Sequence, residues 1–440
     1  MGSRRIGGLE LGDARRTRRL IRLVEDLSAQ PLESIPVASG GWAETKAAYR
    51  LLDNPALEWR ELLEVHTQRT RERMVGHPVV LCIQDTTELD FTTQPGIAGL
   101  GRLSYEAQHG MYVHPTLVVT PQGAALGVVD AWMWARVSKG KATVKESVRW
   151  LEGYGIVAEL AEVTPGTRLV YLADREGDLR ALMDDAARRG TPADWLIRAR
   201  QERKTAIGDK LWVGLRASEP LGEIEFTLPA APGRPSRRVQ QTLYLQRVML
   251  PARRGAPPVS VTALLAREEH PPAGEKAIEW RLLTNRSAAT LEAAVELIEW
   301  DRCRWLVEIF FRILKSGCRV EALQLATLER LERALVIYLM IAWRILQMVT
   351  WGRDCPALPC EVMFDPEEWQ AAWIVAKRGP PPETPPTLRE MVRLIAHFGG
   401  FLGRKSDGHP GPKALWIGLQ RVREWAIGIA VAKEVFIPIS

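Results

Sequence analysis

The stretch VVLCIQD, residues 79–85, is a short apolar run that ends in a carboxylate, and RLVYLAD (168–174) repeats this pattern. Such runs are typical of strands that are buried on both faces of a parallel or mixed sheet. Ligands of open α/β sheets collect at the carboxyl ends of the strands. Asp85 and Asp174 are therefore candidate ligands of a divalent cation such as Mg²⁺, which prefers oxygen donors. For either aspartate alone, capping of a turn is the alternative interpretation.

The order of segments around these two runs predicts a ribonuclease-H-like α/β fold. MYVHPTLVVTP and ALGVVDAWMWA predict a hairpin around PQG (121–123), and KATVKESVRWLEGY predicts a helix. WLIRAR (195–200) is expected to continue the sheet after the second run. From about 201 to 285, the runs TLYLQRVML, SVTALLA and IEWRLLT predict a β-rich insertion.

Helical patterns flank this core on both sides. Residues 9–28, 42–52 and 57–74 predict a small basic helical domain, and the last 50 residues are again helical in pattern. We therefore predict a helical N-terminal domain at 1–70, a ribonuclease-H-like catalytic domain at 71–355 and a helical C-terminal domain at 356–440.

The positive charge of the chain is concentrated at its start. The net charge is +6, and residues 1–24 carry seven arginines against two acids. Arg15, Arg16, Arg18 and Arg19 are nearly consecutive, which favours contact with nucleic acid over a solvated charged face. A Gly-rich dinucleotide fingerprint, a P-loop and a Ser–His–Asp pattern are all missing, which argues against a small-molecule enzyme.

Cysteine usage and hydropathy bear on the compartment. Five cysteines, an odd number, and no recognisable signal peptide predict a reducing cytoplasm. No apolar run is expected to approach the roughly 20 residues that a membrane span needs.

A third carboxylate lies in a strongly helical segment. On one continuous helix over 301–319, Arg304, Glu308 and Lys315 fall within roughly 40° of one another at about 100° per residue. Arg312 and Arg319 lie at the margin of this face, and the apolar residues cover the opposite side. The face suits a metal ion beside a phosphodiester, and a salt-bridged amphipathic helix is the equally supported alternative.

Here the residues resemble a known family. RWLVEIFFRILK (304–315) is similar to the signature Y-x2-R-x3-E-x6-K of the DDE transposases of insertion-sequence family four, in the branch of transposon five. QDTT (84–87) and ADREGD (173–178) resemble its two aspartate blocks. LGDARRTRRL, AYRLLDNP and GGFLGRKSDGHPGPKALW resemble its N-terminal and C-terminal segments, so the similarity spans nearly the whole chain in order.

The resemblance implies cut-and-paste transposition by metal-dependent phosphoryl transfer. Asp85, Asp174 and Glu308 are the implied catalytic residues, holding two Mg²⁺ ions for which Mn²⁺ can substitute. The implied steps are strand nicking, hairpin formation, hairpin opening and strand transfer into target DNA.

The resemblance also implies a set of DNA contacts. Trp280 lies 24 residues before Arg304, at the position of a tryptophan that stacks on a flipped base, and Trp305 is a second candidate surface. Phosphate contacts are implied for Arg304 and Lys315, with Arg198 and Arg200 as further candidates on one face of a predicted strand. The N-terminal arginines are the candidates for recognising the transposon end.

One position departs from the signature, because Asp301 occupies the place of its tyrosine and would repel a phosphate. Either Trp300 substitutes for the tyrosine, or Asp301 pairs with Arg304 or Arg302. This departure bears on hairpin handling rather than on metal binding.

The implied partners are double-stranded DNA, as terminal inverted repeats and as target, and a second copy of the chain. The two copies would form a synaptic complex through the C-terminal region, in a bacterial cytoplasm near the nucleoid and without a membrane. The alternatives are a DNA-binding inhibitor of transposase ancestry and a nuclease that cuts without joining.

Overall fold

The structure is a computed structural model that describes residues 14–136, 145–228, 235–253, 255–404 and 407–436. The helices are α1 (Ala14–Ala29), α2 (Ile35–Ser39), α3 (Trp42–Leu52), α4 (Trp59–Met74), α5 (Val148–Val163), α6 (Arg180–Arg188), α7 (Leu211–Arg216), α8 (Leu291–Cys303), α9 (Trp305–Arg312), α10 (Leu328–Asp354), α11 (Pro366–Lys377), α12 (Leu388–Phe398) and α13 (Pro412–Phe436). The strands are β1 (Val79–Gln84), β2 (Thr87–Asp90), β3 (Gly101–Arg102), β4 (His109–Val119), β5 (Ala125–Trp134), β6 (Arg168–Ala173), β7 (Asp194–Arg198), β8 (Gly222–Leu228), β9 (Arg237–Leu250), β10 (Val259–Arg267) and β11 (Glu279–Thr284).

The described residues form two compact units. The first unit lies within Met1–Arg73, Thr86–Ala142 and Leu306–Ser440, and the second lies within Met74–Asp85 and Thr143–Trp305. A mixed α/β core with helical N-terminal and C-terminal regions confirms the predicted fold class.

The second unit is built on a mixed sheet with the strand order β1-β6-β7-β11-β10-β9-β8. β1, β6 and β7 run parallel, and the remaining neighbours pair antiparallel. Five of the six residues of β1, and five of the six of β6, are buried, as continuous apolar runs predict. The predicted β-rich insertion therefore extends the core sheet, since β11 pairs directly with β7.

The first unit contains the predicted hairpin and most of the helices. β4 and β5 pair antiparallel around a turn in which Gly123 has a φ of +89°, a backbone conformation that glycine adopts easily. In this unit β2 and β3 also pair with β4. The N-terminal helix buries Leu20, Leu23, Val24 and Leu27 along one side. Residues 9–13 of that predicted helix lie outside the described residues.

One helix boundary and one strand differ from the prediction. The helix expected in KATVKESVRWLEGY begins at Val148 and continues to Val163, while residues 141–144 lie outside the described part of the chain. Strand β8 was not predicted, because its sequence GEIEFTL contains two glutamates, a residue type depleted in strands.

The expectation about membrane-length segments is also corrected. Helix α10 is 27 residues long and is apolar enough to cross a membrane by length and composition. However, 83% of its most apolar window is buried inside the protein, as in the core helix of a soluble protein. The helix is therefore weak support for a membrane span.

The single helix expected over 301–319 is wrong. Helix α8 ends at Cys303, Arg304 forms a turn, and α9 continues only to Arg312. A π turn follows at Ile313–Gly317, in which the amide of Cys318 donates to the carbonyl of Ile313. Arg319 then takes a left-handed backbone with a φ of +50°. Because these breaks change the rotation per residue, helical angles do not relate Arg304 to Lys315.

Candidate active site

Three site residues follow one another across the parallel part of the second unit's sheet. The register pairs Gln84 with Ala173 and Ala173 with Ile197. Asp85, Asp174 and Arg198 are the next residues on these strands, and neighbouring strands lie about 4.8 Å apart. The two aspartates that sequence analysis selected are therefore adjacent at the carboxyl ends of neighbouring strands. We call Asp85, Asp174 and Arg198 the carboxylate row.

Gln84 anchors the strand that presents Asp85. The hydroxyl of Tyr171 donates to Oε1 of Gln84 at 2.8 Å and also lies 3.1 Å from the carbonyl of Trp150. Gly153 on α5 packs against the amide of Gln84 so closely that a Cβ atom would lie 2.0 Å from its nitrogen. The residue before Asp85 is thus fixed from both sides, which limits the positions open to the carboxylate.

Arg304 is the partner of Asp85. Its Nη1 donates to Oδ2 of Asp85 at 2.9 Å, and both side chains are largely buried. Charge-assisted hydrogen bonds of this length are roughly twice as strong as neutral ones. The signature arginine, which was expected to contact phosphate, therefore contacts the first aspartate.

Asp174 begins the turn that carries the other acids of ADREGD. Its Oδ1 accepts from the amide of Glu176 at 2.8 Å. Asp174 therefore caps a turn and also belongs to the carboxylate row. Glu176 forms an ion pair with Arg149 at 2.6 Å. Asp178 is buried and accepts from the amides of Arg200 and Gln201. Sequence analysis missed this scaffold, although acids at every second position of 174–178 are its signal.

Arg198 and Arg200 do not share a strand face, contrary to the sequence-based expectation. β7 ends at Arg198, the amide of Ala199 still donates to the carbonyl of Arg281, and the carboxylate of Asp178 then accepts from the amides of Arg200 and Gln201. Arg198 stays in the carboxylate row, and burial lowers the pKa of its guanidinium, opposed first by the charge of Asp301. Both arginines still line one cavity, together with Arg175, Ala199, Glu279 and Arg281.

Asp301, the departure from the signature, is buried and pairs with Arg198. Its Oδ2 lies 3.4 Å from Nη2 of Arg198, and burial raises the pKa of its carboxyl group. Arg302 instead pairs with Glu299 at 2.7 Å. Trp300 is buried beneath the guanidinium of Arg286, so it does not present an exposed surface in place of the tyrosine.

Glu308 and Lys315 belong to the first unit. Glu308 is exposed on the first turn of α9, and Lys315 is half-buried in the π turn that follows. Leu306, Val307, Phe310, Ile313 and Leu314 are buried, so the predicted apolar side is largely confirmed. Ile309, which also lies on the predicted apolar side, is half-buried.

The two candidate stacking tryptophans differ in accessibility. Trp280 is half-buried on β11, and its ring stacks on Phe226 with centroids 5.3 Å apart. Trp305 is 59% exposed, and the guanidinium of Arg304 lies 5.8 Å from its ring. Trp280 thus has one face occupied by an aromatic ring, whereas Trp305 is the more open surface.

The N-terminal arginines line the solvent side of α1. Arg15, Arg18 and Arg19 are exposed and Arg16 is half-buried, while the opposite side of the helix packs into the first unit. The helix therefore presents several cations to the outside, as contact with a phosphate backbone requires.

Asp85 and Asp174 fit a hard divalent cation in the type of their donor atoms. Two aspartates on adjacent parallel strands offer oxygen ligands of the kind that Mg²⁺ binds beside water and phosphate. Among the described residues, no group of three or more His, Cys, Asp or Glu side chains forms a metal-binding cluster. The structure thus brings two of the three predicted carboxylates together, with Arg304 on the first.

Comparison with known proteins identifies the class. Residues 3–57 match the transposase DNA-binding family, residues 147–344 match the transposase DDE domain, and residues 340–435 match the transposase Tn5 dimerisation domain. Together these domains, in this order, make the chain a DDE transposase: an enzyme of DNA transposition and recombination that binds DNA and dimerises. DDE transposase domains generally depend on a divalent metal ion.

Among solved structures, the chain is similar to the piggyBac transposase in a cryo-EM synaptic complex with hairpin DNA. The identity is 10%, the TM-score is 0.40, and the match covers 89% of this chain and 73% of that chain. A TM-score this low supports no conclusion about the site.

Proposed function

We propose that this DDE transposase belongs to insertion-sequence family four and performs cut-and-paste transposition through a DNA hairpin. The observation that carries the proposal is the pair Asp85 and Asp174, one register step beyond Gln84 and Ala173 on neighbouring parallel strands. Phosphoryl transfer on DNA needs no protein nucleophile, but it does need carboxylates that hold divalent ions at the scissile phosphate.

In the proposed mechanism, Asp85, Asp174 and Glu308 hold Mg²⁺, with Mn²⁺ as a substitute. Such ions would supply activation of the attacking oxygen and stabilisation of the leaving one. The residues around them orient the DNA. Arg304 and Lys315 bind phosphate oxygens beside the scissile bond, which for Arg304 requires release from Asp85.

The reaction is a series of in-line displacements at phosphorus. Water nicks one strand at the transposon end, and the freed 3′-hydroxyl attacks the opposite strand to form a hairpin. A second water opens the hairpin, and the 3′-hydroxyl then attacks target DNA. The hairpin requires an extruded base, which we propose stacks on the face of Trp280 that Phe226 does not cover.

Recognition and assembly are proposed to lie at the two ends of the chain. The exposed arginines of α1 bind the terminal repeat. On α13, Ile427, Val431 and Val435 are exposed large apolar residues spaced four apart, and they form one stripe. We propose that this stripe contacts a second copy of the chain in a synaptic complex in the bacterial cytoplasm.

The test uses a duplex that carries the element's own terminal repeat, incubated with protein and Mg²⁺ and separated on a denaturing gel. We expect nicked strands and a hairpin strand of double length from the wild type, and neither from Asp85→Asn. Nicks without hairpins would indicate a nuclease that does not join. A shifted complex without cleavage would indicate a DNA-binding inhibitor.

A further inference from the structure

Arginines accompany both aspartates of the carboxylate row. Arg304 donates to Asp85, and Arg198 occupies the register position beside Asp174. Nε of Arg198 and Nε of Arg304 are buried and have no hydrogen-bond partner among the described residues. Each arginine therefore retains a buried donor that a carboxylate oxygen can satisfy, and such a bond competes with a cation for that oxygen.

Asp301 is the third carboxylate near these arginines. It lies one helical turn before Arg304 at the end of α8, and its carboxylate is 3.4 Å from Arg198. Only 8% of its side chain is exposed. Burial raises the pKa of its carboxyl group, and the charges of Arg198, Arg304 and Arg175 oppose that shift. An acid buried among three cations acts as their internal counter-ion.

We propose that Asp301 is a positioning residue whose carboxylate holds Arg198, so that Asp174 stays available to a divalent cation. The proposal rests on the proposed function, because the cation site is part of it. It gives the residue that replaces the signature tyrosine a role inside the site instead of at the DNA surface.

Loss of the Asp301 charge has a defined consequence. Arg198 would turn to its register neighbour Asp174, whereas Arg304 already donates to Asp85. A cation would then have to displace a bond from Arg198 to Asp174 in addition to the existing bond from Arg304 to Asp85. The affinity for the cation should therefore fall, even though no ligand of the cation has been changed.

The experiment measures Mg²⁺ binding by the full chain without DNA, as the rise in unfolding temperature on titration with MgCl₂. Asp301→Asn keeps the shape of the side chain and removes its charge. We expect the Mg²⁺ concentration at half-maximal stabilisation to rise on the order of tenfold. The matched control is Glu299→Gln, on the same helix in an exposed ion pair with Arg302, which should leave this concentration unchanged.

A second variant covers the case in which Asp301→Asn fails to fold, since it leaves Arg198 without its buried counter-ion. Arg198→Met combined with Asp301→Asn removes both charges, and its half-maximal concentration should return to that of the wild type. Folded Asp301→Asn with wild-type Mg²⁺ binding overturns the proposal. A double variant that binds Mg²⁺ weakly overturns it too, because Asp301 would then act only on the structure.

If the proposed function is wrong, the Mg²⁺ titrations give a different result. Asp85→Asn should lose the Mg²⁺ response entirely, because it removes a ligand of the cation. A wild type that shows no response to Mg²⁺, or an Asp85→Asn variant that responds fully, removes the cation site itself and the role of Asp301 with it.

Discussion

Nη1 of Arg304 lies 2.9 Å from Oδ2 of Asp85, so the signature arginine is the counter-ion of the first aspartate. An arginine in this position binds either a carboxylate or a phosphate, and the two compete for the same donors. Arrival of DNA and a cation would separate the pair, because the cation attracts Asp85 and the phosphates attract Arg304. Breaking the contact between Arg304 and Asp85 is therefore required both for binding of the cation and for binding of the DNA phosphates.

The first prediction concerns Arg304→Met, which removes the counter-ion and keeps most of the side-chain length. We expect Mg²⁺ to bind more tightly, because Asp85 no longer shares its oxygen atoms, while cleavage slows through the loss of a phosphate contact. Titration of unfolding temperature with MgCl₂ and a single-turnover nicking assay measure the two effects. Arg302→Met, on an exposed neighbour, is the control and should change neither. Weaker Mg²⁺ binding by Arg304→Met would contradict the competition.

The second prediction concerns Trp280→Ala. The first nick should be retained, whereas hairpin formation should slow about tenfold or more, because stacking of a base on an aromatic ring contributes about 1–3 kcal/mol. Phe226→Leu should show a smaller loss, since it removes the ring that braces Trp280 from one side. Quantifying nick and hairpin bands over time measures both, and a normal hairpin yield from Trp280→Ala would remove this residue from base flipping.

The third prediction concerns the apolar stripe on α13. Val431 is 53% exposed at the centre of the stripe, so Val431→Glu should place a charge in the interface and give a monomer. Lys433→Glu also adds negative charge, but it lies about 200° around the helix from the centre of the stripe and should stay dimeric. Light scattering after size exclusion measures the mass, and a dimeric Val431→Glu would place the interface elsewhere.

The fourth prediction is a pH dependence at Glu332 on α10. Burial, and then the charge of Glu329, raises the pKa of Glu332 to about 7. A raised carboxyl pKa means that the folded state disfavours the charged form. The penalty is absent below the ordinary pKa of 4.5, grows as pH rises, and is complete above about 7.

Glu332→Gln should therefore raise the unfolding temperature at pH 8 and leave it nearly unchanged at pH 4.5. Thermal unfolding across this range measures the difference, with the exposed Glu361→Gln as the control. An equal shift at both pH values would show that the charge of Glu332 is not the cause.

The sequence could predict those parts of the fold that depend on local patterns. β1 and β6 are continuous apolar runs, and their order along the chain was enough to place Asp85 and Asp174 at strand ends. Long amphipathic helices such as α1 and α4 also follow from periodicity alone. These features need no knowledge of distant contacts.

The sequence could not predict features that depend on tertiary contacts. A helical wheel assumes constant rotation, so it missed the turn at Arg304 and the π turn at Ile313–Gly317. The contact of the Arg200 amide with Asp178, which follows the end of β7, joins residues that lie 22 apart in the chain. The pairing of Asp301 with Arg198 spans more than 100 residues, and no spacing rule indicates it.

The single-turnover rate of strand nicking in Mg²⁺ by Asp174→Asn, compared with that of Glu176→Gln, decides whether the carboxylate row performs the chemistry. The two acids lie in one turn, but only Asp174 belongs to the carboxylate row, while Glu176 pairs with Arg149. We predict that Asp174→Asn binds the terminal repeat normally and nicks it on the order of a thousandfold more slowly. Glu176→Gln should keep most of the activity. Nicking by Asp174→Asn at the wild-type rate would show that Asp174 has no catalytic role.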